Sequence, residues 1–116
     1  MNPSKNPLAR LQHIRDEIDG ISEALSGVDL RRYSDDYLLQ RGTERALQII
    51  SEAAKAIPIE LLNRYPEIDW HGVVQLGNVL RHEYPTVDST VVWEIAIGKL
   101  PELRPVIERM IRDLTG

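Results

Sequence analysis

Three histidines, His13, His71 and His82, are the side chains of this 116-residue chain whose ordinary pKa suits them to exchange protons near neutral pH. There is no cysteine, which rules out a thiolate nucleophile, a disulfide and a cysteine-held zinc or iron–sulfur centre. No His-Glu-x-x-His or equivalent spacing occurs, so neither a metal site nor a cofactor is expected. Among the carboxylates, Glu44 and Glu52 are eight residues apart, which on a helix brings them to about the same side two turns from each other. No binding motif surrounds them, and a solvated charged edge is favoured over a glycosidase-like pair. His13 falls off the apolar stripe of its segment and His71 closely follows a capping aspartate, so both are expected on the surface. His82 lies in Leu76-Gly77-Asn78-Val79-Leu80-Arg81-His82-Glu83-Tyr84, the stretch on which a functional reading rests.

The elements that must position this stretch read as helices. Leu8, Leu11, Ile14, Ile18, Ile21 and Leu25 recur in steps of three or four and share one helical face, with Pro7 suited to the first turn and Ser26-Gly27 to a stop. A second helix is expected from a cap at Ser34 or Asp35 to Ile57, before Pro58. Its apolar positions, among them Leu39, Leu47, Ile50, Ala54 and Ile57, are too widely spread for one stripe, which predicts a central place in a bundle or a contact with a partner subunit. Residues 58 to 66 form a turn. Asp69 caps a third helix that ends around Tyr84-Pro85, and Asp88 or Ser89 caps a fourth that runs to Leu114 with a kink or break at Gly98 and Pro101. Thr90 to Ile97 also alternates in the manner of a strand, but no second strand exists to pair with it.

The expected fold is therefore all-α, an antiparallel bundle of four to five helices formed by residues 1–116 as one domain. A composition of 42% hydrophobic and 28% charged residues suits a packed core, and no repeat, charge block or linker divides the chain. No apolar run is long enough for a secretory signal or a membrane span, so a cytoplasmic protein is expected. With 18 acidic residues against 14 basic ones, the molecule as a whole repels phosphate backbones, and any contact with RNA must be local.

The Leu76–Tyr84 stretch resembles the signature of HEPN domains of the HepT-like branch, Arg-Asn-x-x-x-His-x-Tyr. The blocks Arg45–Ala54, Tyr65–Trp70 and Val87–Trp93 followed by Leu100-Pro101 are similar to the family's flanking helices, so the likeness runs from about Leu38 to Ile107. Together these blocks are specific, whereas His-x-Tyr alone is weak. The resemblance implies a helical bundle that forms a symmetric homodimer, with the motifs of both subunits facing a shared cleft. It implies a toxin–antitoxin pair with a minimal nucleotidyltransferase as partner and antitoxin, and RNA cleavage without metal. There an imidazole shuttles the proton while a guanidinium grips the phosphate.

Carried over residue by residue, the resemblance makes His82 the catalytic acid/base, Asn78 its catalytic neighbour one turn earlier and Tyr84 the acceptor of AMP from the nucleotidyltransferase. The motif arginine does not carry over, because Gly77 stands in its place. Arg81 offers a phosphate contact, but it leaves the helix in a direction about 40° from that of residue 77 and one turn further on. Loss of one charge-stabilising donor costs on the order of 10² to 10³ in rate. With nothing else expected to replace the cation, weakened or lost RNA cleavage follows. The alternative is a catalytically silent HEPN dimer that binds a nucleotide or the nucleotidyltransferase, with Gly77 serving only close helix approach and His82 a hydrogen bond in the dimer interface.

Overall fold

A computed structural model describes residues 6–82 and 88–116. The polypeptide is helical, and no strand occurs among the described residues. The first helix, α1 (Pro7–Leu25), opens with the Asn6 side chain accepting the Leu8 N–H and buries the expected stripe Leu11, Ile14, Ile18, Ile21 and Leu25. It stops where Gly27 takes φ +73°, a left-handed conformation that only glycine adopts at no steric cost.

A short helix not expected from the sequence, α2 (Leu30–Ser34), follows under an Asp29 cap and buries Tyr33 completely. It displaces the start of the next helix. The cap of α3 (Tyr37–Lys55) is Asp36, whose carboxylate accepts the Leu39 N–H at 2.9 Å, rather than Ser34 or Asp35. Gln40 reaches back from α3 to donate to the Tyr33 and Ser34 carbonyls, closing the end of α2. The physical reason for the shift is Tyr33, whose burial fixes a helical turn where polar residues alone suggest a loop.

Residues 58 to 66 contain one turn of helix, α4 (Ile59–Leu62). Asp69 then accepts the Gly72 N–H at 3.0 Å and starts α5 (Trp70–His82), while the Trp70 indole donates to the Tyr65 carbonyl inside the core. The expected end of this helix at Tyr84-Pro85 lies outside the described residues. Asp88 caps α6 (Ser89–Glu94), so the segment that alternates like a strand is helical. Between α6 and α7 (Leu100–Thr115) the chain makes a π-helical turn, Ile95–Lys99. The Leu100 N–H donates to Ile95 five residues back, so the expected irregularity near Gly98 and Pro101 is a widened turn, not a break. Pro101 occupies the first turn of α7, where its missing N–H costs little, and Pro105 lies within the helix.

The long helices run antiparallel. Arg15 and Asp19 on α1 pair with Glu108 and Arg104 on α7, the higher number on one helix meeting the lower on the other. Helix α3 packs on α1 along one side and on α5 along another, which accounts for its broad apolar surface. Among the described residues no helix is long and apolar enough to cross a membrane.

Candidate functional site

The motif helix is held to the bundle at a single close crossing. The Ser51 hydroxyl on α3 donates to the Val74 carbonyl at 2.8 Å and accepts the Gly77 N–H at 3.0 Å, so one side chain engages two successive turns of α5. Gly77 is buried here. A Cβ at this position would lie 2.8 Å from the Ser51 Cβ and closer still to its hydroxyl, distances that real Cβ atoms do not reach. Position 77 therefore faces α3, and a larger side chain would start inside the helix interface. The residue that departs from the signature is a packing glycine, whose missing Cβ sets how closely the two helices approach.

Beyond Gly77 the helix turns its polar residues outward. Asn78 is half-buried and donates to the Gln75 side-chain oxygen at 3.3 Å; it stands one turn before His82, the last described residue of α5. The side chain of His82 and the whole of Tyr84 lie outside the described residues. Leu80 is buried and Arg81 is exposed. These two residues form one wall of a groove of about 360 Å³ whose other wall is a stripe of α3: Arg41, Glu44, Arg45 and Gln48. Because α3 and α5 are antiparallel, with Ser51 beside Gly77, the start of α3 comes to lie against the end of α5.

Two cations of α3 that the sequence does not connect with the motif thus stand in the groove of Arg81. Arg81 shares its groove with two guanidiniums from α3, and among the described residues one carboxylate lines it, Glu44, which accepts from Arg41 at 2.8 Å. Glu44 offsets one of the three charges. Among the described residues, Arg45 makes a long contact, 3.5 Å, to the Gln48 amide oxygen and Arg81 makes no ion pair. Beneath the stripe, the buried Tyr33 phenol is pushed above its ordinary pKa, chiefly by burial, so it stays neutral. Guanidiniums on two facing helices can grip a phosphodiester bidentately.

The other sequence candidates lie apart from the groove. His13 and His71 are exposed, as expected. Glu44 belongs to the groove, whereas Glu52 is exposed two turns further along α3, so the two carboxylates form no acid pair. No group of three or more metal-binding side chains occurs among the described residues. Sequence reasoning missed Arg41, Gln48 and Ser51 and gave Arg45 no role. The spacing of 41, 44, 45 and 48 does mark one polar helical face, but nothing local connects it with Arg81.

The model of a family described as ribonuclease HepT-like matches residues 14–110. A candidate RNase of Methanocaldococcus jannaschii is 30% identical over 114 residues, which cover 98% of this chain and 94% of the relative. A candidate RNase of Caldanaerobacter subterraneus subsp. tengcongensis is 29% identical over 108 residues, 93% of this chain and 96% of the relative. A probable ribonuclease HepT of Thermococcus cleftensis is 31% identical over 100 residues, 86% of this chain and 91% of the relative. No solved structure matches the chain significantly.

Proposed function

The chain belongs to the HepT-like ribonuclease family, and on that footing we propose that it cleaves RNA slowly and without metal, His82 moving the proton and Arg81 holding the phosphate in place of an arginine at position 77. The observation that carries this reading is the groove beside the end of α5, where Arg81 meets Arg41 and Arg45. In the reaction, the 2′-hydroxyl of the substrate passes its proton to an imidazole as its oxygen bonds to phosphorus. The bond from phosphorus to the 5′-oxygen then breaks, and that oxygen takes up a proton. Negative charge collects on the non-bridging oxygens, where a guanidinium offsets it. Arg81 projects from a point one turn beyond residue 77, so it recovers only part of the 10² to 10³ in rate that such a donor typically contributes.

Within this proposal the protein acts in the cytoplasm as the toxin of a toxin–antitoxin pair and as a homodimer, with Asn78 supporting His82. A minimal nucleotidyltransferase restrains it by transferring AMP to Tyr84, which adds a charged, bulky group two residues from the imidazole. A second reading, a silent dimer that binds a nucleotide or the nucleotidyltransferase, draws on the Gly77–Ser51 contact, because a position sealed against α3 cannot regain the motif arginine.

The deciding experiment incubates the purified protein with end-labelled tRNA and mRNA in the presence of EDTA. Slow cleavage that His82→Ala abolishes supports the enzyme. Equal cleavage by His82→Ala assigns the activity to a contaminant, and no cleavage by the wild type leaves the silent dimer.

A further inference from the structure

The exposed face of α3 continues beyond the charged stripe that lines the groove. Tyr37, the first residue of that helix, is 69% exposed, the Arg41 guanidinium sits 5.4 Å from the centroid of its ring, and Arg41 in turn lines the groove with Arg45 and Arg81. Tyr37, Arg41, Arg45 and Gln48 fall within a sector of about 80° on a helix and span roughly 16 Å along it. An aromatic ring thus opens a track of guanidiniums and an amide that leads to the end of the motif helix. A tyrosine this exposed contributes little to the core, and a guanidinium against one face leaves the rest of the ring open.

This combination suits one class of ligand. A single-stranded nucleic acid presents alternating phosphates and flat bases, and proteins that hold it pair a cationic groove with aromatic rings on which bases stack. A duplex has its bases already stacked and offers none to the ring. Of the carboxylates nearby, Glu44 is paired with Arg41 and Asp36 is engaged as the cap of α3, while Asp35 is exposed and keeps phosphates on the Arg45 side of the ring. Arg45 and Arg81 remain to meet phosphates.

We infer that Tyr37 is a base-stacking platform that holds an unpaired nucleotide of the RNA strand while Arg45 and Arg81 take its phosphates. This rests on the RNA-cleaving reading of the same groove and adds the strandedness of the substrate and the residue that selects it.

The test measures binding, not cleavage. The full chain carrying His82→Ala is titrated against a fluorescein-labelled adenylate dodecamer by anisotropy, with the same strand annealed to its complement and with AMP as the other arms. The single strand binds more tightly than the duplex or AMP. Adding Tyr37→Ala weakens it by about 5- to 150-fold, the loss of one stacked base, and leaves the salt dependence unchanged. Tyr37→Phe restores the affinity. Arg45→Ala instead lowers the slope of log affinity against log salt by about 0.7, as expected for one lost phosphate contact to a single strand.

Equal affinity with and without Tyr37→Ala overturns the platform while the RNA-cleaving reading stands. So does failure of Tyr37→Phe to restore it, or a loss that accompanies a change in sedimentation coefficient. No binding of the single strand by the His82→Ala protein overturns both, and AMP binding as tightly as the dodecamer points to a nucleotide pocket instead.

Discussion

Gly77→Ala is the sharpest perturbation of the motif helix, because a single methyl group tests whether position 77 is sealed against α3. In an open helical position, glycine to alanine stabilises by about 1 kcal/mol. Gly42 on α3 supplies that reference, since an added Cβ there meets nothing within 4 Å. At Gly77 the methyl carbon would lie 2.8 Å from the Ser51 Cβ. Either Ser51 moves, losing its bonds to Val74 and Gly77, or α5 lifts away. Overpacking costs about 1–3 kcal/mol and the two lost hydrogen bonds, at about 0.5 kcal/mol each, about 1 more, against the gain in propensity. The net loss is about 1–3 kcal/mol, or a fall in Tm of about 4–12 °C for a domain of this size. Unfolding by heat and by urea, followed through the buried Trp70 at the start of α5, reads it directly. Ser51→Gly in the same chain should recover much of the loss, with a coupling of about 1–2 kcal/mol between the two sites. A rise in Tm for Gly77→Ala equal to that of Gly42→Ala would refute the close crossing.

Three further outcomes follow. Tyr65 donates to Asp113 at 2.5 Å, and that bond, followed by burial, holds its phenol above the ordinary pKa. The folded state therefore favours the neutral phenol, whose contribution is full below pH about 10 and is lost as pH rises through the folded value; Tyr65→Phe should cost about 1–2 kcal/mol near neutrality and flatten the decline in alkaline urea titrations. Co-expression with a minimal nucleotidyltransferase should raise the intact mass by one adenylyl group, and Tyr84→Phe should abolish the increase; an unchanged wild-type mass speaks against the proposed antitoxin. Sedimentation equilibrium should return twice the chain mass, and a monomer at micromolar concentration contradicts the homodimer.

What the residues reveal in sequence order is what local forces decide. The stripe of α1, its stop at Gly27 and the caps Asp69 and Asp88 need only periodicity and short-range hydrogen bonds, and they lie where expected. The helix α2 was hidden because it depends on burying Tyr33, a tertiary event that outweighs five residues of indifferent propensity. The π-turn likewise joins α6 to α7 just before Pro101, where periodicity alone shows an irregularity and not its kind. At the site, the motif helix and the absence of an arginine at 77 were legible. Close helix approach was one reading of the glycine, but its partner was not legible, because Ser51 is 26 residues away and meets it only through the crossing of α3 and α5. Arg41 and Arg45 joined Arg81 for the same reason: antiparallel packing, not spacing, sets them together.

That Arg81 supplies the phosphate cation is tested most directly by single-turnover cleavage of a labelled single-stranded RNA by Arg81→Ala and Arg81→Lys. Loss of the guanidinium should lower the rate by up to about 10²-fold with the alanine, part of what one well-placed charge-stabilising donor contributes. Lysine, which keeps the charge but not the fork, should recover only part of it. An Arg81→Ala protein that folds like the wild type and cleaves at the wild-type rate would contradict the reading.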